Sequence, residues 1–190
     1  MSDVKNLMIV GVGGQGALLA SKTLGQVLLD AGFDVKVSEV HGMSQRGGSV
    51  VTYVRYGDKV YSPIVDKGEA DYIISFELLE AARYTEYLKK DGQIIVNTQT
   101  IEPMPVITGA AEYPKDLIAQ LQSKGIKVDA LDCLKLAEEA GTSKAVNIVL
   151  MGRLSKYMNF PEEDWLKAIE KLVKPQFLEM NKKAFSLGRK

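Results

Sequence analysis

The residues best suited to bind a ligand begin with a glycine-rich turn near the start of the chain. Residues 11–16 read Gly-Val-Gly-Gly-Gln-Gly and satisfy the G-x-G-x-x-G pattern. An apolar run precedes this turn and a helix-like sequence follows it, and backbone N–H groups at such a helix start attract an anion. The candidate binding residues of the turn are Gly11, Gly13, Gly14, Gln15 and Gly16.

A dinucleotide-binding turn also has an acidic residue about 20 positions further on, at the end of the second strand. Glu39 is the candidate, although it comes slightly late. The structural alternative is that the glycines only allow a tight turn and let the first helix pack close to the sheet. Gln15 lies at the mouth of the turn, where it can face a ligand or a partner chain. The residues alone leave both interpretations open.

A second polar stretch, residues 39–49, follows the predicted second strand, where open α/β sheets place their ligands. After Glu39, its candidate binding residues are His41, Ser44, Gln45, Arg46, Gly47 and Gly48. Arg46 beside two glycines can present a guanidinium and bare N–H groups to a phosphate, and His41 can titrate near neutral pH.

The alternative for this stretch is an ordered loop in which His41 bonds the backbone and Arg46 pairs with Glu39. We favour a binding or docking role, because a polar loop of this density is costly to order without a purpose. No residue of either stretch is assigned a catalytic role, and no metal ligands are predicted.

Three other features are better explained by packing than by chemistry. Cys133 is the only cysteine and lies among apolar positions, as inert core cysteines do. Trp165 has apolar neighbours at helical spacing, which is typical of a core or interface residue. The acidic run at 162–164 favours a helix amino terminus.

The elements that would position these residues alternate between strands and helices. The sequence predicts a strand at 6–10, a helix after the glycine turn, and a second strand at 34–40, which together form a βαβ unit. Residues 49–56, the turn at 57–59 and residues 60–61 predict a β-hairpin. Strands at 71–76, 93–97 and 126–131 alternate with helices at 77–88, 115–123 and 145–157, and with a helical stretch through Leu134 and Ala137.

These elements predict an α/β fold: a Rossmann-like, mostly parallel sheet with helices on both faces, a β-hairpin insertion and a C-terminal helical tail. We expect residues 1–160 to form the main domain. Residues 161–190 are amphipathic, with a boundary or kink at Pro175, and are expected to pack on that domain or on a partner.

Composition narrows the classes of function. The chain has 24 basic and 24 acidic residues, so it has no bulk charge that would attract nucleic acid or an anionic membrane. A single cysteine excludes a disulfide framework and a thiolate-bound iron–sulfur cluster held by this chain alone. The amino terminus does not resemble a signal peptide and no apolar run has the length of a membrane span, so we expect a cytoplasmic protein.

The two glycine-rich stretches together resemble the gamma-type subunit of 2-oxoacid:ferredoxin oxidoreductases. The second stretch, Glu-Val-His-Gly-Met-Ser-Gln-Arg-Gly-Gly at 39–48, is most similar to the small (beta) subunit of indolepyruvate ferredoxin oxidoreductase. The pyruvate and 2-oxoglutarate branches typically have a glycine-proline-glutamate loop, which is absent at 41–46. The resemblance extends over essentially the whole chain, including Tyr-Ser-Pro at 61–63 and Glu-Ala-Asp at 69–71.

This resemblance implies the oxidative decarboxylation of a 2-oxoacid to an acyl-CoA, with ferredoxin as the electron acceptor. An aryl pyruvate such as indolepyruvate is the expected 2-oxoacid. Thiamine diphosphate and the iron–sulfur clusters are carried by large partner subunits in this family, and coenzyme A is a substrate of the complex. The chain itself has no Gly-Asp-Gly start of a thiamine diphosphate motif. We therefore expect it to bind no cofactor alone and to be inactive without its partner.

Two other functions remain open on the sequence. A freestanding NAD(P)-dependent Rossmann oxidoreductase is allowed by the glycine turn and Glu39, but no Tyr-Lys or His-based catalytic pair is evident in the expected place. A non-catalytic assembly module is the third possibility.

Overall fold

The computed structural model describes residues 4–41 and 48–190. Six strands lie within these residues: β1 (Lys5–Val12), β2 (Asp34–His41), β3 (Ser49–Gly57), β4 (Ala70–Ser75), β5 (Leu88–Asn97) and β6 (Lys127–Leu131). The α-helices are α1 (Ala17–Asp30), α2 (Leu78–Arg83), α3 (Met104–Ile107), α4 (Leu117–Ser123), α5 (Cys133–Ala140), α6 (Val146–Leu154), α7 (Glu162–Leu172) and α8 (Leu178–Arg189). Short 3₁₀ turns lie at Thr85–Tyr87, Ser143–Ala145 and Pro175–Phe177.

The strands form one mixed sheet in the order β2-β3-β1-β4-β5-β6. Strands β1, β4, β5 and β6 are parallel neighbours, whereas β3 runs antiparallel to both β1 and β2. The predicted α/β class, with a mostly parallel sheet and helices on both faces, is confirmed.

The predicted position of the β-hairpin was wrong. Residues 58–69 contain no strand, and β3 pairs instead with β2, which precedes it in the chain. Two side chains explain why the ladder does not continue past Gly57. The Arg55 guanidinium donates to the carbonyls of Ser62 and Ile64, both at 3.0 Å, and Asp34 accepts from the Val60 N–H. Backbone groups that a strand would have paired are therefore bonded to side chains.

The same pairing changes the predicted βαβ unit. Strands β1 and β2 do flank α1, but β3 lies between them in the sheet. In register, Val54 of β3 lies opposite Val37 of β2 and Leu7 of β1, so β3 uses both of its edges. Sequence patterns of single strands do not specify this insertion, because pairing order depends on all strands together.

The core divides into two clusters on the two faces of the sheet, as the alternation of side chains along a strand requires. Leu7 and Ile9 belong to the larger cluster, which also contains residues of α1 and of α5 to α8. Met8 and Val10 belong to the smaller one, with residues of α2 and α4. Consecutive residues of β1, which is buried from Asn6 to Val12, thus face both cores, which explains its unbroken apolar run.

The helices of residues 161–190 pack on the rest of this chain. Trp165 of α7 and Phe185 of α8 are fully buried, and their rings stack with centroids 5.9 Å apart. Pro175 begins a 3₁₀ turn between the two helices, where the sequence predicted a boundary or kink. Among the described residues, no helix is both long and apolar enough to cross a membrane.

The predicted helix at 77–88 is shorter than expected. Helix α2 ends at Arg83, and Leu88 already belongs to β5. The Thr85 hydroxyl donates to the carbonyls of Ala81 and Ala82, so it competes for acceptors in the last helical turn.

Candidate functional site

The glycine turn and Glu39 line one cleft of about 390 Å³ at the carboxyl end of the central strands. The glycine turn and the first turn of α1 form one side of the cleft, and Glu39 of β2 and Val50 of β3 form the other. The structure therefore brings together two groups of residues that the sequence predicted separately. Glu39 lies on the edge strand β2 and is exposed. It also interacts with another residue of the chain.

The turn directs the start of α1 toward this cleft. Gly14 and Gly16 have φ angles of 98° and 85°, in the left-handed region that favours glycine. Gly16 is the N-cap of α1, no side chain among the described residues caps the helix start, and its first turn has no acidic residue. The positive end of the helix dipole therefore faces the cleft, which is an arrangement suited to an anion.

The Gln15 side chain points into the protein and is held by hydrogen bonds. Its Oε1 accepts from the Val12 N–H at 2.7 Å, and its Nε2 donates to the Phe76 carbonyl at 3.1 Å and to Gln99 Oε1 at 3.4 Å. Val12 ends β1, and Phe76 follows directly after β4. The amide thus bridges two parallel strands whose following helices lie on opposite faces of the sheet, at the crevice where open α/β folds often bind ligands. Gln15 consequently shapes the turn.

Gly11 makes room for this bridge. A Cβ at Gly11 would lie 2.9 Å from Gln15 Oε1 and 2.9 Å from Phe76 Cβ. Both distances are shorter than a Cβ atom normally has to an oxygen or a carbon atom that is not bonded to it. The glycine pattern therefore has a packing reason at this position, in addition to the helix start at Gly16.

Asn147, which the sequence patterns did not predict as a site residue, supports the turn from the other side. Its Nδ2 donates to the Gly16 carbonyl at 3.2 Å, and its Oδ1 accepts from the Ile148 N–H. A Cβ at Gly16 would lie only 2.7 Å from Asn147 Nδ2. The available signal was a polar residue within the otherwise apolar run of 145–151, which indicates a buried hydrogen-bonding role.

Two buried carboxylates lie at the same carboxyl end of the parallel strands, and the sequence patterns did not predict them either. Glu77 is 1% exposed and N-caps α2 by accepting from the Glu80 N–H at 2.9 Å. Its other oxygen accepts from the Ile101 N–H at 3.1 Å and from the Tyr113 hydroxyl. Glu77 thereby holds both ends of the long connection between β5 and α4. Burial and the Glu77 carboxylate raise the pKa of Tyr113.

Glu80 connects α2 to the start of β3. Its carboxylate accepts from the Ser49 hydroxyl at 2.5 Å and contacts the Arg83 guanidinium at 3.1 Å. Burial raises the pKa of Glu80, and the Ser49 and Arg83 contacts oppose that shift. Because Ser49 follows Gly48 directly, Glu80 positions the strand that leads out of the second glycine stretch.

The two glycine-rich stretches meet through their backbones. The Gly13 N–H donates to the Gly48 carbonyl at 2.9 Å, and His41 pairs with Val50 in the β2–β3 ladder. Ser44, Gln45, Arg46 and Gly47 lie outside the described residues, so their predicted binding role stays a prediction.

The geometry departs from a dinucleotide-binding fold. In the classical order, the second strand lies directly beside the first, and its terminal acidic residue contacts the ribose. Here β3 separates β2, with Glu39, from β1. The Gln15 amide also bridges β1 and β4 at the switch point. Both observations disfavour the NAD(P) interpretation.

Cys133 does not fit a metal or cluster ligand. It is fully buried at the start of α5, and burial raises the pKa of its thiol far above the usual range. The predicted core role is confirmed by its place in the larger hydrophobic cluster. Within residues 4–41 and 48–190, no three His, Cys, Asp or Glu side chains are grouped so that they could hold a metal ion.

Residues 6–190 match the family described as pyruvate ferredoxin/flavodoxin oxidoreductase. The chain therefore belongs to this family, and its resemblance to gamma-type subunits of 2-oxoacid:ferredoxin oxidoreductases is confirmed. The indolepyruvate oxidoreductase subunit IorB of Thermococcus kodakarensis is 47% identical over 190 residues, which cover 97% of this chain and 94% of that protein. The common gamma subunit of the pyruvate/ketoisovalerate oxidoreductases of Thermococcus litoralis is 25% identical over 182 residues, covering 94% and 90%.

A solved structure shows the same fold. The pyruvate oxidoreductase subunit PORC of Thermotoga maritima superposes with a TM-score of 0.76 over 98% of this chain and 96% of that chain. At 23% identity, this likeness concerns the fold alone.

Proposed function

We propose that the chain is the small subunit of an indolepyruvate:ferredoxin oxidoreductase. The complex would convert an aryl pyruvate and coenzyme A to an aryl-acetyl-CoA, carbon dioxide and a proton, with two electrons passing to ferredoxin. The observation that carries this proposal is the 47% identity to IorB of Thermococcus kodakarensis over nearly the full length of both chains. The weaker identity to the pyruvate/ketoisovalerate gamma subunit favours the aryl-pyruvate branch.

The chain's own contribution would be binding and assembly. Its only cysteine is a buried thiol, so the thiamine diphosphate and iron–sulfur chemistry would belong to a large partner subunit. We propose that the cleft beside the glycine turn binds an anionic group, which is either part of coenzyme A or a carboxylate of the partner subunit. The start of α1, which no side chain within residues 4–41 and 48–190 caps, supports this assignment.

The binding set proposed for this cleft contains the glycines of the turn, Glu39, and the stretch from His41 to Gly48 with Arg46. The contact between Gly13 and Gly48 supports the view that both stretches act together. Asn147 would position the turn, and Gln15, which also lines the cleft, would both position the turn and belong to the binding set. We further propose that the complex is a cytoplasmic hetero-oligomer.

A substrate panel tests the proposal. The chain should be produced together with the large subunit of such an enzyme, and ferredoxin reduction measured with indolepyruvate, phenylpyruvate, pyruvate and 2-oxoglutarate. The aryl pyruvates should give kcat/KM values at least tenfold above the other two. A preference for pyruvate or 2-oxoglutarate would contradict the substrate assignment.

The alternative of a freestanding NAD(P) oxidoreductase has a separate test. Titration of the isolated chain with NADH, followed by nucleotide fluorescence, should show no saturable binding. Saturable binding would instead support that alternative.

A further inference from the structure

A second cavity lies beside the first turn of α1, where the 3₁₀ turn before α6 meets the corner between α7 and α8. Its volume is about 450 Å³, which is within the range of small-molecule sites. Leu19, Leu172, Val173 and Phe177 form its apolar walls, and Lys144 and Lys174 also line it. We refer to it as the helix-corner cavity.

Hydrogen bonds hold the backbone at the aromatic wall of this cavity. The Phe177 N–H donates to the Lys174 carbonyl at 2.9 Å, and Asn181 Nδ2 donates to the Phe177 carbonyl at 2.8 Å. Phe177 is nevertheless 43% exposed, whereas Trp165 and Phe185 nearby are fully buried. An uncovered ring on an ordered backbone at a cavity wall is available to pack against an apolar group of a ligand.

The charge of the cavity is positive. Within the part of the chain that the structure describes, neither Lys144 nor Lys174 forms an ion pair, and both residues are exposed. The Thr142 hydroxyl accepts from the Lys144 N–H at 3.3 Å and can donate its own proton to an anion. Two ammonium groups and a hydroxyl beside apolar walls favour a ligand with a carboxylate at one end and an apolar body.

We propose that the helix-corner cavity binds an amphipathic monocarboxylate with an aromatic or similarly bulky apolar body. The apolar body packs between Leu172, Val173 and Phe177, and the carboxylate lies near Lys144 and Lys174. This site is separate from the cleft at the glycine turn, and the proposal does not depend on the function proposed above.

The cavity is nevertheless connected to the glycine turn. Leu19 lines the cavity, while the preceding residue, Leu18, lines the cleft. The turn that carries Lys144 leads within three residues to Asn147, which bonds the Gly16 carbonyl. Both sites therefore share the first turn of α1.

Isothermal titration calorimetry of the full chain with 2-naphthoate tests the proposal. Saturable binding is expected, and it should be at least tenfold weaker in Lys144→Glu/Lys174→Glu and in Phe177→Ala. The matched control, Lys22→Glu/Lys135→Glu, reverses two exposed lysines outside the cavity and should bind like the wild type. Circular dichroism verifies that each variant is folded.

Two further ligands separate charge from apolar contact. Acetate has the carboxylate without the apolar body, and 2-naphthylmethylamine has the apolar body with the opposite charge; both should bind at least tenfold more weakly than 2-naphthoate. The proposal is overturned if 2-naphthoate does not bind at millimolar concentration. It is equally overturned if the cavity variants bind 2-naphthoate as the wild type does, or if the amine binds as well as the acid.

Discussion

Helices α6 and α8 approach so closely that their contact depends on two glycines. A Cβ at Gly152 would lie 2.1 Å from the Phe185 carbonyl oxygen, and a Cβ at Gly188 would lie 2.0 Å from the Val149 carbonyl oxygen. Ordinary contacts of a Cβ begin at about 3.4 Å. An alanine at either position therefore requires the two helix backbones to separate by more than about 1 Å.

We expect Gly152→Ala to destabilise the protein by about 3 kcal/mol or more. Overpacking of a core commonly costs about 1 to 3 kcal/mol, and here the obstructing atom belongs to the backbone and cannot rotate away. For a chain of this size, about 3 kcal/mol corresponds to a decrease in Tm of roughly 6 to 12 °C. Thermal unfolding followed by circular dichroism measures this change.

Gly25→Ala is the matched control. Gly25 also lies within a helix, α1, but a Cβ there would meet nothing within 4 Å. Glycine in a helix interior is less stable than alanine by roughly 0.5 to 1 kcal/mol, so this variant should melt at or slightly above the wild-type Tm. If Gly152→Ala melts within about 2 °C of the wild type, the close packing of α6 on α8 is refuted.

Three further changes test the electrostatics and the candidate site. Asp129 accepts two hydrogen bonds from Arg153, at 2.6 and 2.9 Å; burial opposes, but these bonds and one from Tyr157 outweigh it and lower the pKa of Asp129. The stabilisation by the ionised Asp129 is therefore present at neutral pH and is lost as the pH falls through the lowered pKa. Asp129→Asn should lower the free energy of unfolding by about 2 kcal/mol at neutral pH and by progressively less in acid, as measured by chemical denaturation. Burial raises the pKa of Glu80, so the contribution of this side chain to stability is lost as the pH rises through the raised pKa. Glu80→Gln should have a higher Tm than the wild type at about pH 8 but not in acid. An equal difference in Tm at both pH values would contradict the raised pKa. In the reconstituted complex, Arg46→Ala should raise the KM for coenzyme A or weaken assembly by a loss on the order of 1 to 3 kcal/mol, with Lys rescuing only partly, and unchanged kinetics together with unchanged assembly would remove Arg46 from the site.

Local patterns in the sequence predicted most elements of the fold. The apolar run of β1, the glycine turn and the period of α1 each identify one element, because burial and turn geometry act over a few residues. The pairing of β3 between β1 and β2 was not predictable in this way. Strand order depends on all strands together, so no single segment encodes it. The contacts of Arg55 and Asp34 with the backbone of residues 60–64, which end the ladder at Gly57, also leave no periodic signal.

The candidate site was predicted only in part, because several contacts that support it also join residues far apart in the sequence. The glycine turn and Glu39 were identified by motif, and the structure places Gly13, Gly14, Gly16 and Glu39 around one cleft. Asn147 and Glu80 support that cleft from positions 131 and 31 residues away from their partners, Gly16 and Ser49. Gln15 was recognised as polar, but only the positions of Phe76 and Gln99 determine that it points inward.

The most direct test of the account is reconstitution of the oxidoreductase with and without this chain. The large subunit should be purified separately, and indolepyruvate- and coenzyme A-dependent reduction of ferredoxin measured as the chain is added in increasing amounts. We predict that neither protein alone is active and that activity rises to a plateau at a fixed molar ratio of the two. Full activity of the large subunit alone, or no activity at any ratio while both proteins are folded, would contradict the proposal that this chain is the small subunit of that enzyme.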